Sequence, residues 1–146
     1  MIEFTLTRTS SAPIEVVFDA LTDHRRIADY MKAVRRSTLD REGVPAPNGV
    51  GAIRRLATPG PALLEEITEY QRPTRYAYTL IAGAPVRDHI GTVDLRDTGS
   101  GTEVRWHVQS TPKIPGLDWL IAPVLKKTIG DLLDGGISVA EDPSFG

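Results

Sequence analysis

The sequence predicts an α+β domain built on a curved antiparallel sheet, and three changes of hydrophobic period carry that reading. The opening MIEFTLTRT alternates apolar and polar residues, and SSAPIEVVFDALTDHRRIADYM then switches to helical spacing. From Arg35 to Gln109 short alternating segments are divided by turn residues, and from Leu117 the helical period returns.

Ile2, Phe4 and Leu6 alternate with Glu3, Thr5 and Thr7, the mark of a strand with one buried face and one wet face. Ile14, Val17, Phe18 and Leu21 then fall at i, i+3, i+4 and i+7, which predicts a helix. Pro13 suits its first turn, with Ala12 as a weak cap and no capping box. Thr22 or Asp23 is placed to cap a second short helix with apolar positions Ile27, Tyr30 and Met31. Two helical pieces with a bend between them suit a plug for the open end of a curved sheet.

Strands are expected near Arg35–Asp40, Gly51–Thr58, Leu63–Tyr70, Arg75–Ala82, Val86–Arg96 and Thr102–Ser110. Between them, REGVPAPNGV is a long turn-rich loop, TPGP, QRPT and AGAP are turns, and DTGSG is a polar hairpin tip. Leu117, Leu120, Ile121, Val124, Leu125, Ile129, Leu132 and Leu133 define the apolar face of a closing helix. Pro123 predicts a bend or interruption in its first half. Gly135 and Gly136 either end the helix or let it pack closely.

At 146 residues the chain fits one domain, read as residues 1–146. Seventeen Lys and Arg against nineteen Asp and Glu give a formal charge of −2, which supplies no single-sign field for nucleic acid or an anionic membrane. The absence of cysteine removes disulfides, thiolate nucleophiles and thiolate metal sites. With neither a leader pattern nor a long apolar run, a cytoplasmic protein without stable membrane insertion is expected.

In this order, APIEVVFDALTDHRRIADYM after the first strand, GVGAIRRL, EEITEYQRPTRYAYTL, HIGTVDL, GSGTEVRW and the closing amphipathic helix resemble a known family. The chain resembles the START-related, pollen-allergen-like superfamily (SRPBCC), and within it the bacterial polyketide cyclase/dehydrase and lipid-transport group. The resemblance implies a helix-grip fold, in which a curved seven-stranded antiparallel sheet wraps a long C-terminal helix around an interior cavity. It also implies an apolar or amphipathic small molecule as ligand and brings no shared set of catalytic residues, because one fold hosts many functions.

Alternation sorts the candidate ligand residues. Tyr76, Tyr78 and Leu80 share one face, as do Val104, Trp106 and Val108, leaving Arg105 and His107 outside. These faces fill core volume or offer stacking surface with polar handles. Val93 and Leu95 look inward, so an unbroken strand puts Gly91, His89 and Arg87 on the same face. His89 can hydrogen-bond a ligand or exchange a proton with it, and Arg87, near the strand end, can meet an anionic head group at the mouth. Arg54 and Arg55 point to opposite faces, as do Glu65 and Glu66, so one arginine faces inward with an acid for partner. Ile67 argues for Glu65 inside and Tyr70 for Glu66. Tyr30 and Met31 from the plug, and Leu120 and Val124 from the closing helix, complete the expected wall. REGVPAPNGV and TPKIPGLDW are candidate lids.

Sharper chemistries fail on spacing. The three histidines, His24, His89 and His107, fall on different elements and faces, so no metal site is expected. No nucleophile elbow appears, and NGVGA lacks the Lys-Ser/Thr ending of a phosphate loop. The leading expectation is therefore binding or transport of a hydrophobic or amphipathic small molecule (lipid, polyketide or aromatic compound) without cofactor or nucleic acid, by a monomer or homodimer. The rival is an aromatase/cyclase-like enzyme using a cavity His or Arg for proton transfer, with His89 the weak catalytic candidate. A third is a protein-interaction module without a ligand.

Overall fold

The computed structural model describes residues 1–31 and 34–144. Strand β1 (Ile2–Ser10) leads through helix α1 (Ile14–Thr22) and the single turn α2 (Ile27–Tyr30) to six strands: β2 (Arg36–Arg41), β3 (Ile53–Ala57), β4 (Leu63–Gln71), β5 (Arg75–Ala82), β6 (Val86–Asp97) and β7 (Thr102–Pro112). Helix α3 (Asp118–Glu141) closes the chain. The curved sheet is seven-stranded and antiparallel, ordered β1-β7-β6-β5-β4-β3-β2, so the first strand caps the meander by pairing with the last. This is the helix-grip fold.

Alternation sets the faces. In β7 the pattern buries Thr102, Val104, Trp106, Val108 and Ser110. Val17, Phe18 and Ala20 of α1 are withdrawn completely, and Phe18 meets Tyr70 and Tyr76 edge-on at 5.2 and 5.7 Å. Each such large apolar side chain contributes roughly 1.5–3 kcal/mol by leaving water. Helix α1 thus plugs one end of the sheet. A second cluster, Ile27, Met31, Val34 and Leu56, seats α2 against β3, with Leu132 of α3 bridging to it.

Three local expectations resolve. Pro13 is the residue preceding α1 rather than its first helical residue, and no side chain caps the helix. Asp23 ends α1 and accepts a bond from Arg25 N, while α2 begins four residues on without a side-chain cap. Helix α3 runs unbroken through Pro123 and on through Gly135 and Gly136. Those glycines permit close packing: a Cβ at Gly135 meets the Tyr30 ring, and one at Gly136 meets Leu21. At its far end Glu141 accepts hydrogen bonds from Ser10 Oγ and Ser11 N at 2.9 and 3.0 Å, tying α3 to the approach to α1.

The loop after β2 is cross-tied rather than open. Val44 and Val50 form a bridge, and Asn48 Oδ1 lies 2.8 Å from His24 Nδ1.

Candidate functional site

Five adjacent strands send polar and aromatic side chains into the concave face. Arg54 of β3 and Glu65 of β4 are cross-strand neighbours, and their side chains pair at 2.9 Å. Arg55 and Glu66 point outward to Asp40 and Arg41, so the ambiguity of the RR and EE pairs is settled in favour of Arg54 and Glu65 inside. Arg54 is 4% exposed and Glu65 9%, which places a full ion pair in an otherwise apolar interior.

The aromatic residues stand around this pair. The Arg54 guanidinium carbon lies 5.8 Å from the centre of the Tyr78 ring, within range of a cation–π contact. Trp106 Nε1 donates to Tyr78 Oη at 3.3 Å, and the Trp106 ring meets both Tyr76 and Tyr78 edge-on. Gly91, opposite Tyr78 in the β5–β6 register, leaves room for that ring where any Cβ would collide with it. His89 sits 5.9 Å from Tyr78, and its Nδ1 is 3.0 Å from Ser110 Oγ.

Burial shapes the electrostatics. It opposes the charge on Arg54, but the Glu65 carboxylate outweighs it and the guanidinium stays firmly protonated. Burial raises the Tyr76 and Tyr78 hydroxyls well above the usual phenol range, so both remain neutral donors. It lowers His89 against the opposing pull of Glu65, which keeps the imidazole neutral near pH 7. Two buried polar atoms have no hydrogen-bond partner among the described residues: Arg54 Nε and Tyr76 Oη. Native interiors rarely leave such groups unpaired.

Beside this cluster, a groove of about 850 Å³ runs between α2 and α3, lined by Tyr30, Met31, Pro123, Val124 and Lys127 among others. Tyr30 belongs to both places. Its ring lies against Gly135 in the groove, and its hydroxyl, raised by burial, lies within electrostatic reach of Arg54 and Glu65.

Residues 1–138 match the family described as polyketide cyclase / dehydrase and lipid transport. The chain belongs to that family. Among solved structures it is similar to a START superfamily protein from Mycobacterium smegmatis, with TM-score 0.81 and 10% identity over 95% of this chain and 97% of that one. It is also similar to the Zhui aromatase/cyclase from a Streptomyces species, with TM-score 0.80 and 17% identity over 96% and 93%. A third likeness is to Ara h 8.0201, with TM-score 0.75 and 18% identity over 95% and 97%. A comparison with curated protein sequences gives no match.

Within this member of the polyketide cyclase/dehydrase and lipid-transport family, most of the expected ligand residues gather in two places. Arg54, Tyr76, Tyr78, His89 and Trp106 come together in the interior, while Tyr30, Met31 and Val124 line the groove. Arg87 and Leu120 join neither.

Arg87 is exposed because β6 carries a bulge. Asp88 has φ 51° and the register with β7 shifts between Arg87 and Ile90, so two β6 residues, Asp88 and His89, stand against Ser110. His89 therefore faces inward as expected, whereas Val86 joins it and Arg87 faces outward, against the expectation from unbroken alternation. Leu120 is 52% exposed. With Ile129 and Leu133 buried against the sheet, helical geometry puts Leu120 on nearly the opposite side of α3. Val124, 63% exposed, lies one turn on from Leu120 on the same outer side and lines the groove rather than the interior.

One member of the cluster escaped the sequence reading. Ser110 continues the inward series Val104, Trp106 and Val108, and it is a polar residue on a buried face. That signal was present in the sequence but lay at a strand end.

No helix among the described residues is long and apolar enough to cross a membrane.

Proposed function

We propose that the protein binds an amphipathic small molecule, with its apolar body in the groove between α2 and α3 and an oxygen-bearing end at Arg54 and Tyr76. The observation that carries this reading is the pair of unpartnered buried donors, Arg54 Nε and Tyr76 Oη, in a site walled by Tyr78 and Trp106. An acceptor oxygen of a ligand satisfies both, and burial of its apolar part supplies roughly 25 cal/mol per Å². Tyr30, between groove and cluster, is the side chain such a ligand has to move. Lipids, polyketides and aromatic acids or ketones all offer the required chemistry, and the lipid-transport part of the family description agrees with it.

Native mass spectrometry of freshly purified protein tests the reading, together with titration of a hydrophobic fluorescent probe. A bound molecule retained by the native chain and lost in Trp106→Ala is expected. A bare chain in gentle preparations that also binds no probe would overturn it.

A second reading rests on His89. A neutral, buried imidazole anchored on Ser110 is suited to accept a proton from an activated methylene during aldol closure of a polyketone. Unchanged turnover of such substrates by His89→Ala would remove it.

A further inference from the structure

Five of the nine large apolar side chains that stand exposed among the described residues share one end of the sheet, while Val44 and Val50 lie apart in the loop after β2. Among the described residues, Met1, Ile81, Ile114, Trp119 and Leu120 are all open to solvent, with Trp119 and Met1 each 74% exposed and Ile114 62%. Antiparallel pairing brings the start of β1, the end of β5, the start of β6 and the end of β7 to one end of the sheet. Two bonds fasten the neighbouring pieces there. The Met1 amino group pairs with Asp118 at 3.0 Å, and Lys113 N donates to Pro85 O at 3.0 Å. The N-terminus, the β5–β6 turn, the β7–α3 connection and the first turn of α3 thus form one rim.

The charge on this rim differs from that of the chain. The β3–β4 turn and the start of β2 reach the same end, with Leu64 paired to Ala82 and Arg36 to Ala57; the three connections TPGPA, GAP and KIPGL contain no acidic residue, and Arg35, Arg36, Arg87 and Lys113 stand exposed around them. None of those four has a side-chain partner among the described residues. Of the acids nearby, Asp118 is engaged by the N-terminus and Glu3 by His107, which leaves Asp88. A local cationic ring therefore coexists with a formal net charge of −2. An exposed tryptophan and aliphatic tips inside a ring of Arg and Lys match the interface of an anionic bilayer. The indole sits at headgroup level, and the cations meet lipid phosphates.

We propose that this rim docks reversibly on anionic phospholipid membranes, with Trp119, Ile114, Leu120 and Met1 entering the interfacial layer and Arg87 and Lys113 pairing with phosphate. The patch continues along α3 from Leu120 to Val124 at the edge of the groove. Docking turns that groove toward the lipid.

Sedimentation with phosphatidylcholine vesicles, with and without phosphatidylglycerol, tests the proposal in solution free of any soluble ligand. This is separate from interior probe binding, which is measured without vesicles. Binding is expected only with phosphatidylglycerol, weakening as salt rises, with a blue shift of tryptophan emission. Since the other tryptophan, Trp106, is 4% exposed, that shift reports Trp119. The double variant Trp119→Ser/Ile114→Ser should lose about tenfold or more in partitioning, and Arg87→Glu/Lys113→Glu a similar amount. Both change exposed side chains, so unaltered thermal melts are expected alongside. No sedimentation with either vesicle, equal sedimentation with both, or native partitioning by the variants would overturn the proposal. So would a concentration-dependent dimer that Trp119→Ser dissolves, since a second copy of the chain would then be the partner.

Discussion

Arg54 and Glu65 form an ion pair at 2.9 Å across β3 and β4 with side chains only 5% and 12% exposed, while the neighbouring Arg55–Asp40 pair at 2.7 Å stands in solvent. Two adjacent arginines thus live in different dielectric worlds. The outer pair is worth little, whereas the inner one is sustained only as long as both members remain.

Breaking the inner pair should therefore cost far more than breaking the outer one. Glu65→Gln or Arg54→Met is expected to lose about 3–5 kcal/mol, and Asp40→Asn no more than about 1 kcal/mol, by urea unfolding. The apolar double variant Arg54→Met/Glu65→Leu should recover most of the loss while failing to bind the probe.

Tyr76→Phe separates stability from binding. Its hydroxyl is buried without a partner, so removing it should leave the fold unchanged or stabilise it by about 1 kcal/mol. Probe affinity should fall at the same time. Thermal melts with parallel titrations measure both, and a loss of stability would show that the hydroxyl is satisfied in solution.

His89 should make the protein acid-sensitive. Burial places its folded pKa below the unfolded value of about 6.5, so the unfolded chain takes up a proton that the folded chain resists. Stability is then full above that value and declines as pH falls through it toward the folded pKa. Urea midpoints of the native chain and His89→Gln across this range should converge at low pH if His89 is responsible.

Gly135→Ala should disturb the groove specifically. The added Cβ runs into the Tyr30 ring, and overpacking of this kind typically costs about 1–3 kcal/mol. Probe binding should change with it. In Gly99→Ala the new methyl meets nothing within 4 Å, but the positive φ of 85° still strains the turn, so a smaller loss with unaltered probe binding is expected.

The order and type of elements were legible because hydrophobic period changes cleanly at Ile14, Arg35 and Leu117. The interior residues Tyr76, Tyr78, His89 and Trp106 followed from alternation alone. What stayed hidden depends on geometry across strands. Nothing local distinguishes Arg54 from Arg55, and only the register that sets Arg54 opposite Glu65 decides between them. Leu120 was misplaced because its helix has apolar residues around much of its circumference, and the apolar rim at Trp119 widens that stripe beyond the face that packs.

The bulge at Asp88 divides β6 into two territories. On one side of it, Arg87 answers to whatever the molecular rim touches; on the other, His89 answers to whatever the interior holds. Substitutions on either side can accumulate separately. Deletion of the single residue Asp88 would leave Arg87 opposite Thr111 and set His89 alone against Ser110, so the strand would become regular without either side chain changing face.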